Sequence, residues 1–174
     1  MVIAMAKNAH VAATKTLINQ KEDYQEKLLN VSYNEKLLQM IEYASENDVP
    51  IMQNEGIAFL IMLLKVKKPL RILEIGSAIG YSSIMMASIS NDIKITTIEK
   101  DEERYNIAVD NINKFNLNER INIILGDALE TEIDGEYDLI FIDASKGNNI
   151  NFFNRYKDNL RSNGVIITDN LLFH

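Results

Sequence analysis

Acidic residues recur where the apolar, strand-like runs of this sequence end. Four such runs close on an acid and a fifth is followed by one; the residues are Glu74, Glu99, Asp127, Asp143 and Asp169. In a sheet of parallel strands, a ligand lies beyond the carboxyl ends of the strands. A single acid at a strand end is often only the cap of the next helix. Five acids at one edge of a sheet instead favour a ligand-binding site.

A glycine turn and a distant carboxylate indicate what this ligand is. The turn reads Gly76-Ser-Ala-Ile-Gly80, and Glu99 lies 23 residues after Gly76. A carboxylate at that distance accepts hydrogen bonds from ribose hydroxyls, so we expect a nucleoside. NAD is disfavoured, because its turn needs a middle glycine and position 78 is alanine. The acidic surroundings suit a ligand that carries a sulfonium and an ammonium group, a description that fits S-adenosylmethionine.

The elements that must position these residues alternate between strands and helices. Alternating and β-branched patterns predict strands at 71–75, 93–99, 121–125, 137–143 and 164–169. Helical spacing predicts helices at 82–88, 101–115 (with Asp101 as its N-cap) and 152–160. Two helices within 14–48 and a buried helix that ends at Lys65 precede them. This order predicts an α/β fold with a doubly wound, mostly parallel sheet covered on both faces.

Composition sets limits on the class of protein. The 174 residues suit one domain, and the absence of cysteine excludes a disulfide, a thiolate metal site and a thiol nucleophile. No apolar run reaches about 18 residues and no signal peptide is recognisable, so we expect a cytoplasmic protein without a membrane partner. The net charge of −7 weighs against a large nucleic-acid footprint. The densest basic cluster, Lys65, Lys67, Lys68 and Arg71, is best interpreted as a solvated loop.

Several motifs together resemble the class I methyltransferases, and in particular the cation-dependent O-methyltransferase family that includes the catechol and caffeoyl-CoA enzymes. They are EIGSAIGYS at 74–82, IEK at 98–100, GDA at 126–128, FIDASK at 141–146 and ITDN at 167–170. The resemblance covers about residues 45–174 and implies a Rossmann-like S-adenosylmethionine methyltransferase fold. DVPIM at 48–52 and the run FIDASKG…NFF…GVIITDN are most similar to the bacterial branch that methylates 5-hydroxyuridine at the tRNA wobble position.

The resemblance implies a cofactor site for S-adenosylmethionine. Gly76 and Gly80 would shape the turn under the methionine part, and Ser82 would bind its carboxylate. Glu99 would hold the ribose. The remaining implied cofactor residues are Met52, which would cover the cofactor, Asp127 and Ala128, which would bracket the adenine, and Glu74, Ser77, Tyr81 and Asp143.

The resemblance also implies a divalent metal bound by Asp143, Asp169 and Asn170. Two carboxylates and an amide are hard oxygen ligands that suit Mg²⁺, with Mn²⁺ or Ca²⁺ as alternatives. Taken alone, Asp169-Asn170 is more often a turn, but the neighbouring Asp143 favours the metal. A bound metal lowers the pKa of a hydroxyl. Lys146 would take the proton or stabilise the anion, which makes Lys146 and Asp143 the implied catalytic residues.

Two departures from the family pattern change the expectations. Asn149 stands where many relatives have tyrosine, and the chain ends at His174, where relatives continue through two more strands. We therefore expect one methyltransferase domain over 1–174, with a helical part at 1–64 and an S-adenosylmethionine- and metal-binding core at 65–174 that is truncated at its C-terminus. An exposed sheet edge then predicts reduced stability or a homodimer.

The expected function is a magnesium-dependent O-methyltransferase that acts on 5-hydroxyuridine in tRNA. The same chemistry on a small catechol-like diol is the enzymatic alternative, because two adjacent hydroxyls would chelate the metal equally well. A truncated module that binds S-adenosylmethionine without activity is an alternative from a different class. An NAD oxidoreductase is the most distant possibility.

Overall fold

The protein is built around one parallel β-sheet. The computed structural model describes residues 2–5, 35–144 and 147–169. Within them, the sheet has six strands in the order β1-β6-β5-β2-β3-β4, and every pairing is parallel. The strands are β1 (Val2–Met5), β2 (Arg71–Ile75), β3 (Lys94–Glu99), β4 (Ile121–Leu125), β5 (Tyr137–Ile142) and β6 (Leu160–Asp169).

Helices connect and cover these strands, as parallel pairing requires. They are α1 (Glu35–Glu46), α2 (Asn54–Lys67), α3 (Tyr81–Ala87), α4 (Glu102–Lys114) and α5 (Asn149–Tyr156), with a short 3₁₀ turn at Lys157–Asn159. Helices α1 to α4 contribute to one hydrophobic cluster, and α5 contributes to a second. None of the described helices combines the length and apolarity needed to cross a bilayer.

Alternate residues of the central strands point into these two clusters. In β5, Leu139 and Phe141 join the first cluster, while Ile140 and Ile142 join the second. All four side chains are fully buried. A strand that is covered on both faces needs apolar residues at every position, which explains the continuous apolar run at 139–142.

Most of the predicted elements are confirmed. The strands predicted at 71–75 and 121–125 have the observed bounds, and those at 93–99 and 137–143 differ from the observed bounds by one residue. The predicted N-cap is also present, since Asp101 Oδ1 accepts a hydrogen bond from the Arg104 amide at 2.9 Å. The predicted fold class, an α/β protein with a parallel sheet, is therefore correct.

The helix predicted at 152–160 was wrong at both ends. Helix α5 begins at Asn149 and ends at Tyr156, and Leu160 already belongs to β6. The reason is long-range: Leu160 pairs with Tyr137 of β5. In addition, the Asn159 side chain donates to the Ile133 and Gly135 carbonyls, both at 3.0 Å. These contacts pull the chain into the sheet where local periodicity would extend the helix.

The N-terminal strand was not predicted. Strand β1 pairs with β6, with Val2 opposite Ile166 and Met5 opposite Asp169. This stretch of the β6 edge was expected to be exposed, and the expectation was wrong because residues 2–5 cover it. Of the two helices predicted within 14–48, the second corresponds to α1, and the first lies outside the described residues.

Candidate functional site

The carboxyl ends of four adjacent strands reach the same level of the sheet. Ile75 pairs with both Ile98 and Ile142, and Ile142 pairs with Thr168. The residues that follow these positions therefore form one row: Asp169, Asp143, Gly76 and Glu99. The sheet thus brings together side chains that lie almost a hundred residues apart in the sequence.

Gly76 allows two strand ends to approach each other closely. Its φ is +92°, a left-handed conformation that glycine adopts without strain. A Cβ atom at this position would lie 2.8 Å from the Asp143 carbonyl oxygen and 3.0 Å from the Ala144 Cα. The Asp143 amide donates to the Ile75 carbonyl at 2.9 Å, and this hydrogen bond also holds the end of β5 close to the end of β2. Gly76 therefore sets the position of Asp143 as well as the shape of the turn.

The Glu99 carboxylate binds the backbone of the glycine turn and of the residues that follow β3. Its Oε2 accepts the Ala78 amide at 2.8 Å, and its Oε1 accepts the Lys100 and Asp101 amides at 3.1 and 3.0 Å. A carboxylate offers about four lone-pair positions, so one remains on Oε2. Glu99 is 7% exposed and lines the cleft described below. It can therefore accept a hydroxyl from a ligand while it holds the turn in place.

Glu74 has a different environment from the other strand-end acids. It is fully buried, and its carboxylate accepts hydrogen bonds from the hydroxyls of Ser82, Ser83 and Thr97. Burial raises the pKa of Glu74, and the three hydroxyl donors oppose that rise. Glu74 and Ser82 were both predicted to bind the cofactor, yet in the structure they bind each other beneath the turn. Glu74 does not line the cleft.

A cleft opens beyond the carboxyl ends of β2, β3 and β4. Four predicted site residues line it: Gly76, Glu99, Asp127 and Ala128. The prediction missed other lining residues, among them Lys100, Leu129, Ala144, Asn148 and Phe152. Lys100 and Ala144 belong to two of the motifs and Leu129 follows a third, and that proximity was the available signal. Phe152 lies within the NFF stretch of the resemblance but was given no role, because only the packing of α5 brings it to the cleft.

The remaining cofactor candidates lie in or beside the turn. Ser77 is 3% exposed, and its hydroxyl has no hydrogen-bond partner among the described residues. An orphaned buried hydroxyl in the turn fits a polar ligand group there, since buried polar atoms are normally paired. Tyr81 and Met52 are buried in the cluster beneath. Gly80 has a φ of +82° and is the N-cap of α3.

The predicted metal ligands are only partly described. Asp143 and Asp169 follow Ile142 and Thr168, which pair directly, so the two carboxylates lie at neighbouring strand ends. Two carboxylates at adjacent strand ends form a donor set of the kind that hard divalent cations prefer. Within residues 35–144 and 147–169, no cluster of three acidic, histidine or cysteine side chains is assembled. Asn170 and Lys146 lie outside the described residues.

Three features are typical of a Rossmann-like methyltransferase fold: the parallel sheet, the glycine turn after β2, and the carboxylate at the end of β3. The family model described as O-methyltransferase matches residues 23–174. The chain therefore belongs to the O-methyltransferase family, of the class I, caffeoyl-CoA O-methyltransferase type.

Named relatives agree with this assignment. The chain is 34% identical over 123 residues to a caffeoyl-CoA O-methyltransferase of Stellaria longipes, a match that covers 66% of this chain and 51% of the relative. It is 32% identical over 146 residues to the tapetum-specific methyltransferase 1 of Arabidopsis thaliana, covering 80% and 61% of the two chains. The chain thus spans about half to three fifths of the length of these relatives.

Solved structures show the same fold. A Staphylococcus aureus protein provisionally named as a caffeoyl-CoA O-methyltransferase has a TM-score of 0.78 and 37% identity, covering 92% of this chain and 74% of that one. An O-methyltransferase from Bacillus cereus, solved in complex with S-adenosylhomocysteine, has a TM-score of 0.74 and 30% identity, covering 86% and 71%.

Proposed function

We propose that this protein transfers a methyl group from S-adenosylmethionine to a hydroxyl oxygen. The observation that carries the proposal is the cleft at the carboxyl edge of the sheet, which Glu99 lines with one acceptor position left over. The Ser77 hydroxyl, buried in the adjoining glycine turn, has no hydrogen-bond partner among the described residues. Membership of the O-methyltransferase family and the cofactor product bound in a structural neighbour support it.

The residues of the cleft would divide the recognition of the cofactor. Glu99 would accept a ribose hydroxyl, and Asp127 and Ala128 would bracket the adenine. Ser77 would form a hydrogen bond with a polar group of the methionine part. Gly76 has no side chain and would therefore leave room for the methionine part to approach the backbone. Glu74, through Ser82 and Ser83, would hold the start of α3 in place under the turn.

A divalent cation, for which we propose Mg²⁺, would be held by Asp143, Asp169 and Asn170. When bound, it lowers the pKa of a coordinated hydroxyl, so that the acceptor is ionised near neutral pH. Lys146 would receive the hydroxyl proton or stabilise the resulting negative charge. Gly76 has a part in this site as well, because it sets how closely Asp143 approaches the turn.

For the acceptor we propose 5-hydroxyuridine of tRNA. The motif DVPIM at 48–52 and the run from 141 to 170 carry this proposal, since both resemble the bacterial tRNA-modifying branch. A small catechol-like diol is the second candidate. It is favoured by the names of the plant relatives, by the net charge of −7, and by Lys100 being the one cation among the described residues that line the cleft.

The test begins with binding of S-adenosylhomocysteine by calorimetry. The same sample then receives methyl-labelled S-adenosylmethionine, with Mg²⁺ or with EDTA, and either tRNA that bears unmethylated 5-hydroxyuridine or catechol. We expect label in tRNA that EDTA abolishes. Label in catechol alone would support the second candidate. Binding without label in either acceptor would indicate the inactive module, and an absence of binding would refute the proposed function.

Variants of the cleft sharpen this test. Glu99→Gln should weaken binding of S-adenosylhomocysteine by about tenfold, because an amide replaces a carboxylate that accepts from both the turn and the ligand. Glu136→Gln is the matched control, since Glu136 is an exposed acid at the opposite, amino-terminal edge of the sheet. Equal binding by the two variants would contradict the role of Glu99.

A further inference from the structure

One wall of the cleft is a tight turn at residues 126–131. The Asp127 carbonyl accepts the Glu130 and Thr131 amides at 2.9 and 2.8 Å, and the Asp127 carboxylate accepts the Leu129 amide at 2.8 Å. This turn, which we call the nucleoside wall, contributes Gly126, Asp127, Ala128 and Leu129 to the cleft. Its own hydrogen bonds determine its shape, but they do not determine how far it stands from the opposite side of the cleft.

Two side chains of α5 hold the nucleoside wall from behind. The Tyr156 hydroxyl donates to the Ala128 carbonyl at 2.5 Å and lies 3.0 Å from the Thr131 carbonyl. The Arg155 guanidinium donates to the Glu130 and Thr131 carbonyls, with its Nη2 at 2.9 Å from each. One helix therefore binds three carbonyls of the wall, those of Ala128, Glu130 and Thr131. We call the side chains of Tyr156 and Arg155 the α5 clamp.

The same helix also contributes a residue to the lining of the cleft. Phe152 lines the cleft and lies four residues before Tyr156, so the two side chains share a face of α5. Both are buried, at 5% and 2% exposure. Helix α5 thus touches the ligand space through Phe152 and fixes the distance to the nucleoside wall through Tyr156. The position of the nucleoside wall therefore depends on the helix that also contributes Phe152 to the cleft.

We propose that Tyr156 and Arg155 are positioning residues that set the affinity of the cleft for the nucleoside part of the cofactor. The inference rests on the proposed function. The clamp acts on backbone carbonyls of the wall, and neither of its members lines the cleft. The strand ends that carry Asp143 and Asp169, where the methyl acceptor would lie, are fixed by the sheet instead. Loss of the clamp should therefore weaken cofactor binding and leave the rate of methyl transfer at saturation almost unchanged.

The experiment compares two clamp variants with two matched controls. Tyr156→Phe removes the donor to Ala128 with little change in volume, and Arg155→Gln, at an exposed position, tests the clamp without disturbing the core. Tyr137→Phe removes another buried phenol, 3.3 Å from the Thr96 hydroxyl, at the amino-terminal end of β5 and away from the cleft. Lys157→Gln removes an exposed cation next to the same helix end.

Dissociation constants for S-adenosylhomocysteine and for adenosine are measured by calorimetry, and kcat and KM for S-adenosylmethionine in the methyl-transfer assay. We expect both clamp variants to raise both dissociation constants about five- to tenfold, with kcat changed less than about twofold and the controls unchanged. Adenosine matters because it lacks the methionine part, so an equal fold-change for both ligands locates the effect on the nucleoside.

The outcomes separate the inference from the function on which it rests. If the unaltered protein binds S-adenosylhomocysteine but the clamp variants bind as tightly as it does, the inference is wrong and the proposed function stands. The inference is equally wrong if Tyr137→Phe weakens binding as much as Tyr156→Phe, because the effect would then be a general loss of stability. If the unaltered protein binds neither ligand, the proposed function itself fails.

Discussion

Replacement of Glu74 by glutamine should change how stability depends on pH. Glu74 is fully buried, and burial raises its pKa above the usual 4.5. Glutamine has the same shape and no charge, and the hydroxyls of Ser82 and Ser83 can rotate either to donate or to accept. The variant therefore keeps the packing of the turn and removes only the ionisation of this side chain.

The sign of the effect follows from the direction of the pKa shift. Above about pH 4.5 the unfolded chain loses the Glu74 proton, while the folded protein retains it until the raised pKa is reached. In that window the native protein loses stability as the pH rises, at about 1 kcal/mol per pH unit for one proton. Below about pH 4.5 both states are protonated and the contribution is constant. Glu74→Gln lacks this contribution at every pH.

The assay is urea denaturation of both proteins at several pH values between about 4 and 8. The free energy of unfolding of Glu74→Gln minus that of the unaltered protein should increase from about pH 4.5 upward, by about 1 kcal/mol per pH unit, until the raised pKa of Glu74 is reached. Thr97→Val, which removes a donor that lowers the Glu74 pKa, should extend the window to higher pH. A difference that does not vary with pH would refute the reasoning.

Two further predictions concern the backbone at the site. In urea denaturation, Gly76→Ala should destabilise the protein by at least about 1 kcal/mol more than Gly147→Ala. Both glycines have a positive φ, so the backbone strain is similar at the two sites. A Cβ at Gly76 would meet the Asp143 carbonyl, whereas no described atom lies within 4 Å of a Cβ at Gly147. Asp101→Ala should cost about 1 kcal/mol of stability in the same assay, because it leaves the Arg104 amide at the start of α4 without its acceptor. Asp101→Asn retains a capping oxygen and should cost much less, and equal losses would contradict the capping role.

Local patterns were sufficient to predict the central part of the fold. The run at 139–142 is apolar at every position, which is what a strand covered on both faces requires, and Asp101 caps α4 through a hydrogen bond three residues along the chain. Such features depend on neighbours in the sequence. The pairing of β1 with β6 and the start of β6 at Leu160 depend on residues far away in the chain, so periodicity did not predict either.

The candidate site likewise contains residues that local patterns predicted and residues that only the fold brings together. The glycine turn and Glu99 were predicted because their spacing fits a nucleoside ligand, and Gly76 and Glu99 both line the cleft. Phe152 and Tyr156 were not given a role, because only the position of α5 against the 126–131 turn brings Phe152 to the cleft and the Tyr156 hydroxyl to the Ala128 carbonyl. No spacing rule connects them with Ala128, which lies 28 positions before Tyr156 in the chain.

The strand-end acids show why position in the sequence does not determine the role of a side chain. Glu74 is surrounded by three hydroxyl donors and is closed off from the cleft. Glu99 meets three backbone amides and keeps one acceptor position for a ligand. Asp143 and Asp169 lie at neighbouring strand ends, where we propose that they hold a divalent cation. The donors that surround each carboxylate therefore distinguish the two glutamates: three hydroxyls hold Glu74 beneath the turn, and three backbone amides hold Glu99 at the turn beside the cleft.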